Sequence, residues 1–228
     1  MHLGGIQKLT LLDYPGKLAC TIFTSGCNYR CPFCHNAALV THPSEQVFVD
    51  SVLEFLKKRR GVLHGVCLSG GEPLLQPDTP ELLNQIRSLG YSIKLDTNGS
   101  FPQRLRQVVE DGLVDYVAMD VKNCPEAYGE TVGHENFDTA AVSESIRYLL
   151  SGAVDYEFRT TVVREFHDAQ RLTALAQWIS GAKRYYLQAF EDSGDLISEG
   201  LHGYDKEELE QLRDAVAKVL PCVELRGV

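Results

Sequence analysis

The sequence predicts an α/β chain: a partial (β/α)6 barrel behind an N-terminal β-hairpin, in one domain spanning residues 1–228. Three observations carry that prediction. Short β-branched runs alternate with helical patterns six times, which implies parallel strands joined by right-handed crossovers. Gly61, Gly90, Gly112, Gly152 and Gly181 stand where five of the helices should stop, as left-handed caps. Strand parity, finally, collects polar side chains on one face of four neighbouring strands. A flat sheet covered on both sides should instead be apolar almost throughout.

The elements follow in order. The opening "IQKLTLLDYPGKLACTIF" reads as a hairpin turning at Pro15-Gly16 and feeding the first parallel strand, "KLACTIF". The later strand runs are "GVCLS", "YSIKLD", "VDYVAMDV", "DYEFRTTVV" and "RYYLQAF". Between them lie the helical patterns "VDSVLEFLKKRR", "PELLNQIRSL", "QRLRQVVEDG", "AAVSESIRYLLSG" and "AQRLTALAQWISG". A sixth, "DKEELEQLRDAVAKVL", leads into the short closing run "CVELR". Residues two apart share a strand face. If Asp96 points inward, Lys94 and Ser92 do too; Asp120 goes with Ala118 and Lys122, Arg159 with Glu157 and Thr161, and Gln188 with Tyr186. Ile93, Leu95, Val117, Met119, Phe158 and Thr160 then face the other way. Trp178 shares a helix with Leu172, Leu175 and Ile179 and reads as core packing.

Composition narrows the function. Apolar residues make up 44% and charged ones 23%, and 31 acids outnumber 22 bases for a formal charge of -9. The longest basic run, "KKRR" at 57–60, suits a helix C-terminus, so nucleic acid is not an expected partner. The N-terminus lacks the basic-then-apolar pattern of a signal peptide, and no apolar run approaches the ~20 residues of a membrane helix. A cytoplasmic protein is therefore expected, with no membrane partner. There, seven cysteines point to metal ligation, catalysis or small buried side chains before disulfides.

Three of those cysteines, Cys27, Cys31 and Cys34, crowd into "SGCNYRCPFCHN" directly after the first parallel strand. A structural zinc site takes four ligands, usually as two pairs, and Cys20, Cys67, Cys124 and Cys222 stand alone. A thioredoxin-like motif leaves Cys27 unexplained, and an electron-carrying iron–sulfur cluster takes four thiolates. Three thiolates hold three irons of a four-iron cluster and leave the fourth open to substrate or cofactor. Gly26 permits unusual dihedrals at the loop entry, and Pro32 biases Cys31 away from helix.

Cys27-x-x-x-Cys31-x-Phe33-Cys34 resembles the signature of the radical S-adenosylmethionine (SAM) superfamily, and the expected barrel is of that type. Further stretches fit the resemblance. "GGEP" at Gly70, Gly71 and Glu72 is similar to the motif whose backbone and glutamate hold the methionine amino group in that family. "DTNG" and "MDVK" resemble motifs of glycyl-radical activating enzymes, which implies places near the cofactor for Thr97, Asp120 and Lys122. It also implies a monovalent cation near Asp96, Thr97, Met119 and Asp120, with the methionine thioether among the ligands. Arg159 is open to two readings, an ion pair with Glu157 or Asp120, or contact with the cofactor carboxylate. Phe33 and Gln188 join the cofactor-binding candidates, and Cys124 is read as an incidental buried thiol.

The tract at residues 9–36, together with "KLDTNGS", "VDYVAMDVKN" and "RTTVV", resembles the activases of anaerobic ribonucleoside-triphosphate reductase. The resemblance implies a [4Fe-4S] cluster, SAM, a 5′-deoxyadenosyl radical and hydrogen removal from a glycine of the reductase. It also implies a flavodoxin- or ferredoxin-like electron donor. Between Asn36 and Val47 there is no ferredoxin-like insertion with extra cysteine clusters. Activation of another glycyl-radical enzyme, radical chemistry on a small molecule, as in 7-carboxy-7-deazaguanine synthase, and a non-catalytic iron–sulfur electron carrier or scaffold are the competing readings.

Overall fold

The computed structural model describes residues 1–41, 47–192 and 194–228; part of the stretch between Asn36 and Val47 lies outside them. Strands β1 (Leu3–Thr10) and β2 (Ala19–Thr24) form the expected antiparallel hairpin. Its turn closes through the Lys17 amide donating to the Tyr14 carbonyl at 3.1 Å. Pro15 and a left-handed Gly16 (φ 71°) occupy its middle, the residues that a type II turn favours there.

The remaining strands are β3 (Gly65–Gly70), β4 (Ser92–Thr97), β5 (Tyr116–Asp120), β6 (Asp155–Val162), β7 (Tyr185–Ala189) and β8 (Val223–Arg226). They lie in the order β1 to β8, and every pair from β2 onward is parallel. Strict sequential order decides between the two sheet types. A doubly wound sheet reverses its strand order partway, whereas successive right-handed crossovers in one direction put all helices on one face. The other face becomes the inside of a barrel. Six strand–helix units are present as expected, and the closing run adds a seventh parallel strand.

The crossover helices are α2 (Val49–Lys58), α3 (Thr79–Ser88), α4 (Pro102–Glu110), α6 (Ala140–Leu150), α7 (Ala169–Trp178) and α8 (Lys206–Ala217), with short α1 (Ala37–Thr41) and α5 (Tyr128–Val132) between strands. All five cap glycines take positive φ, and Lys57 and Lys58 close α2. Apolar helix residues such as Leu83, Ile86, Val108, Ile146 and Leu175 join Ile93, Leu95, Val117, Met119 and Phe158 in one core cluster. Trp178 packs against it and meets the Tyr128 ring edge-on at 5.8 Å.

The inner face is polar, as parity requires. Lys94 is 1% exposed and pairs with Asp96. Glu157, also 1% exposed, takes a two-pronged bond from Arg226 of β8 at 2.8 and 3.2 Å and a third from the Tyr116 hydroxyl. Unpaired, either charge would be too costly to bury. The seventh strand therefore completes the barrel's charge balance. It also takes Glu157 as its own direct ion pair, leaving Arg159 to pair directly with Asp120 and Asp96.

Candidate functional site

The carboxyl ends of six parallel strands, β2 to β7, converge on a cavity of about 390 Å³, within the range of small-molecule sites, about 300–1,000 Å³. The loop after β2 carries Cys27, Phe33 and the other two cysteines to its rim. The loop backbone is fastened on several sides. The Arg30 amide donates to the Val132 carbonyl of α5, the Ser198 amide to Pro32, and the Cys34 amide back to Cys31. Phe33 is buried with its ring 5.6 Å from that of Phe166.

The paired glycines after β3 have a steric cause beyond turning the chain. A Cβ on Gly71 would lie 2.0 Å from the Gly26 carbonyl oxygen, and one on Gly70 (φ 113°) 2.3 Å from the Thr24 nitrogen. The two backbones touch because the Gly71 amide donates to Thr24 and the Glu72 amide to Gly26, each at 2.9 Å. Asn36, two residues past the last cysteine, donates its side-chain amide to the Gly70 carbonyl. Gly70 and Gly71 border the cavity as expected.

Glu72 is placed elsewhere. Its side chain turns behind the cavity wall, fully buried, where it accepts from the Leu74 amide, the Thr97 hydroxyl and the Asn98 amide at 2.7–3.0 Å. Burial pushes this carboxyl up to about 7, against donors that favour the ionised form. A carboxylate so occupied is a brace between the β3 and β4 loops. The ammonium contact expected from the motif is not its arrangement here. Thr97 does border the cavity while its hydroxyl is spent on Glu72.

Five charged side chains form an alternating column beside the thiols. Lys94 bonds Asp96; Asp96 meets Arg159 at 3.4 Å; Arg159 meets Asp120 at 3.0 Å; Asp120 meets Lys122 at 3.0 Å. Ser69 donates to Asp96 as well. Burial opposes ionisation of Asp120, but Arg159 and then Lys122 outweigh it and hold the carboxyl well below its usual range. Burial likewise opposes the Lys122 charge, and Asp120 followed by Cys31 keeps it raised. Arg159 thus takes the Asp120 pairing while it borders the cavity with Gln188.

The expected cation ligands do not assemble. Asp96 and Asp120 are already engaged by cations, and the Thr97 hydroxyl by Glu72. The Met119 side chain lies on the opposite strand face, where a Cβ on Gly99 would meet its methyl carbon at 2.0 Å. The thioether cannot join two inward carboxylates across the sheet.

The three thiols supply the donor type of an iron–sulfur cluster. Among the described residues, no three His, Cys, Asp or Glu are gathered as a single metal ion requires, yet all three cysteines border one cavity. Burial pushes the Cys27 thiol up to about 11 and Cys31 to about 12, and Cys34 is raised too. Metal binding therefore displaces protons from all three. Thiolate is the donor that iron–sulfur clusters take. The Tyr29 amide already donates to the Cys27 sulfur at 3.4 Å. Cys124 is buried and is not among the residues bordering this cavity.

Sequence reading passed over several residues at the site. Asn98, in the turn after β4, reaches both Glu72 and Cys27. Asp13, from the hairpin turn, borders the cavity and accepts from the Thr21 hydroxyl. His167 holds the Lys122 carbonyl from beneath at 2.8 Å. The only signal for Asn36 was its closeness to the cysteines.

Comparison with known proteins adds independent findings. The radical SAM superfamily profile matches residues 21–176. A Methanocaldococcus jannaschii protein with the provisional name of glycyl-radical enzyme activating enzyme is 30% identical across 99% of this chain and 96% of its own length. The pyruvate formate-lyase-activating enzyme of Staphylococcus aureus is 30% identical over 136 residues, 54% of this chain and 53% of that enzyme. Among solved structures, a domain of a Bacteroides vulgatus pyruvate-formate lyase-activating enzyme aligns at TM-score 0.59 and 16% identity, over 72% of this chain and 99% of that one. Streptococcus suis SuiB bound to SAM aligns at TM-score 0.69 and 14% identity, over 89% and 48%. At these identities the structures establish the shared fold.

Proposed function

The chain belongs to the radical SAM superfamily and to its glycyl-radical activating type, and from that premise we propose that its target is anaerobic ribonucleoside-triphosphate reductase. The superfamily uses a [4Fe-4S] cluster and SAM. The observation that carries the reading to this chain is the placement of Cys27, Cys31 and Cys34 on the same strand-end cavity as Arg159, Lys122 and Gln188. The choice of target rests on the tract at residues 9–36 and on the lack of an insertion bearing further cysteine clusters.

Bound there, the cluster and SAM would supply one-electron reductive radical chemistry able to take hydrogen from glycine. The protein's own part is positional. Cys27, Cys31 and Cys34 would hold the cluster at the rim as its three protein thiolates, one fewer than an electron-carrying cluster takes. Arg159 and Lys122, braced by Asp120, present cationic donors suited to that carboxylate. Glu72 holds the β4 turn so that Thr97 and Asn98 keep their places. A partner loop docked over the open strand ends would exclude water from the cavity.

The test is anaerobic mixing of reconstituted protein, SAM, reductant and reductase, followed by electron paramagnetic resonance. A new glycyl signal and 5′-deoxyadenosine are expected. Both should vanish in Cys31→Ala, along with the site-bound cluster. The partial likeness to pyruvate formate-lyase-activating enzyme makes pyruvate formate-lyase the comparison arm. A signal with that partner and none with the reductase would move the target. 5′-Deoxyadenosine formed with a pterin-like compound alone would support small-molecule chemistry.

A further inference from the structure

The Asn98 side chain is a neutral amide in the turn after β4, close to the thiols. It is 5% exposed, and each of its atoms is spoken for. Its Oδ1 accepts from the Ser100 amide at 3.0 Å and the Ser100 hydroxyl at 2.6 Å. Its Nδ2 donates to Asn28 Oδ1 at 3.0 Å and to the Cys27 sulfur at 3.8 Å. Asn28 closes the ring by donating to the Ser100 hydroxyl at 3.0 Å.

This ring has one sense only. Amide oxygen and nitrogen are normally assigned by inference from their partners. Here a backbone N–H, which can only donate, faces one side of Asn98 and so fixes Oδ1 there. A flipped amide would set donor against donor at Ser100 and oxygen against oxygen at Asn28. The Nδ2 hydrogens must then point at Asn28 and at Cys27. The backbone is held equally firmly by the Asn98 amide on Glu72 at 2.7 Å. The protein's own hydrogen bonds thus aim the donor at the Cys27 sulfur.

We infer that Asn98 tunes the cluster held by Cys27, Cys31 and Cys34, through a side-chain hydrogen bond to the Cys27 sulfur that favours the reduced state. The inference rests on the proposed cluster site. Reduction adds negative charge to the cluster and its thiolates, and a donor on a thiolate stabilises that charge. The second donor on the same sulfur, the Tyr29 amide, is backbone and survives any side-chain change. Asn98 is therefore the genetically accessible part of the pair. It acts as a positioning residue through Cys27.

The experiment measures the midpoint potential of the reconstituted cluster without SAM, by titration monitored with electron paramagnetic resonance. Asn98→Ala should cut the reduced-to-oxidised ratio at fixed ambient potential about tenfold, a shift of ~59 mV for a one-electron couple. Asn98→Asp, which replaces the donor with an acceptor, should lower the ratio further. Ser100→Ala, which loosens the ring but leaves the backbone donor on Oδ1, should leave the potential in place. Unchanged potentials in both Asn98 variants at full iron and sulfide content would overturn the inference and leave the cluster assignment intact. Failure of the wild-type protein to assemble a four-iron cluster would defeat the assignment itself. Where an Asn98 variant assembles no cluster, wild-type protein with asparagine labelled at the side-chain nitrogen decides. A nitrogen hyperfine coupling to the reduced cluster is expected, and its absence refutes the bond.

Discussion

Replacing Gly71 with alanine tests whether two touching backbones build the site. The added Cβ would sit 2.0 Å from the Gly26 oxygen and 2.7 Å from its carbon, against a floor of 3.0 Å for real contacts. Those are main-chain atoms, so no side chain can swing aside. The β3 turn and the cysteine loop must part by about 1 Å or more to restore ordinary contact distances. That movement stretches the two 2.9 Å bonds from the Gly71 and Glu72 amides beyond useful range. At about 1 kcal/mol net for each bond, the expected loss is ~2 kcal/mol. A displaced cysteine loop should also lower cluster yield. Urea unfolding of the apoprotein reads the first effect; iron and sulfide content after anaerobic reconstitution reads the second. Gly5→Ala is the control, since its Cβ would find only Phe23 at an ordinary 3.9 Å. If Gly71→Ala matched wild type in both assays, close approach would not be why glycine stands there.

Two further outcomes follow from the charges and the buried histidine. Asp120→Ala should weaken SAM binding about tenfold, ~1.4 kcal/mol, because Arg159 and Lys122 lose the carboxylate that orients them; cluster assembly should be spared, and unaltered or tighter SAM affinity by calorimetry would contradict the role. His167, 1% exposed, accepts the Val163 amide on Nδ1 and bonds the Lys122 carbonyl through Nε2, so it is held neutral. Burial lowers its pKa, and a depressed folded value means that stability present above the unfolded pKa is lost as pH falls below it. Apoprotein stability should decline below about pH 6.5 by at most ~1.4 kcal/mol per pH unit. His167→Gln should flatten that part of the profile in urea unfolding, and an unchanged slope would assign the proton uptake elsewhere.

Much of the fold was legible because its signals are local. Helix periodicity, five cap glycines and strand parity each depend on a few adjacent residues, and they delivered six helices and the polar inner face. Parity also placed Met119 opposite Asp120, which already conflicted with a thioether ligand for a shared cation. Helix α5 was hidden because it is five residues long, begins three residues after Pro125 and contains Gly129. Its role is tertiary, propping the cysteine loop through the Val132 carbonyl. The site was legible as chemistry but not as contacts. Glu72 was recognisable as the one carboxylate of the Gly-Gly-Glu turn, yet two of its three donors come from the β4 loop some 25 residues on. Arg226 reaches Glu157 across 69 positions, and no local pattern announces such a pair.

The alternating column explains why so polar an interior is tolerated and what it leaves over. Lys94, Asp96, Arg159, Asp120 and Lys122 place each carboxylate between two cations, so neither acid is left to bear its desolvation cost alone. Three cations against two acids leave one surplus positive charge. Glu157 does not cancel it, being matched to Arg226. The terminal cation, Lys122, lies at the cysteine end, close enough to Cys31 for each to shift the other's protonation. A column ending in a cation on that side favours negative charge at the rim, where three deprotonated thiols and a carboxylate-bearing cofactor would bring it. Neutralising Lys122 with methionine should therefore weaken both cluster retention and SAM binding. Asp120→Ala, which raises the surplus to two but frees Arg159 and Lys122 from the carboxylate that orients them, should weaken the second alone. Iron retention on gel filtration separates the two cases. Equal iron loss in both variants would show that the column serves only to fold the barrel.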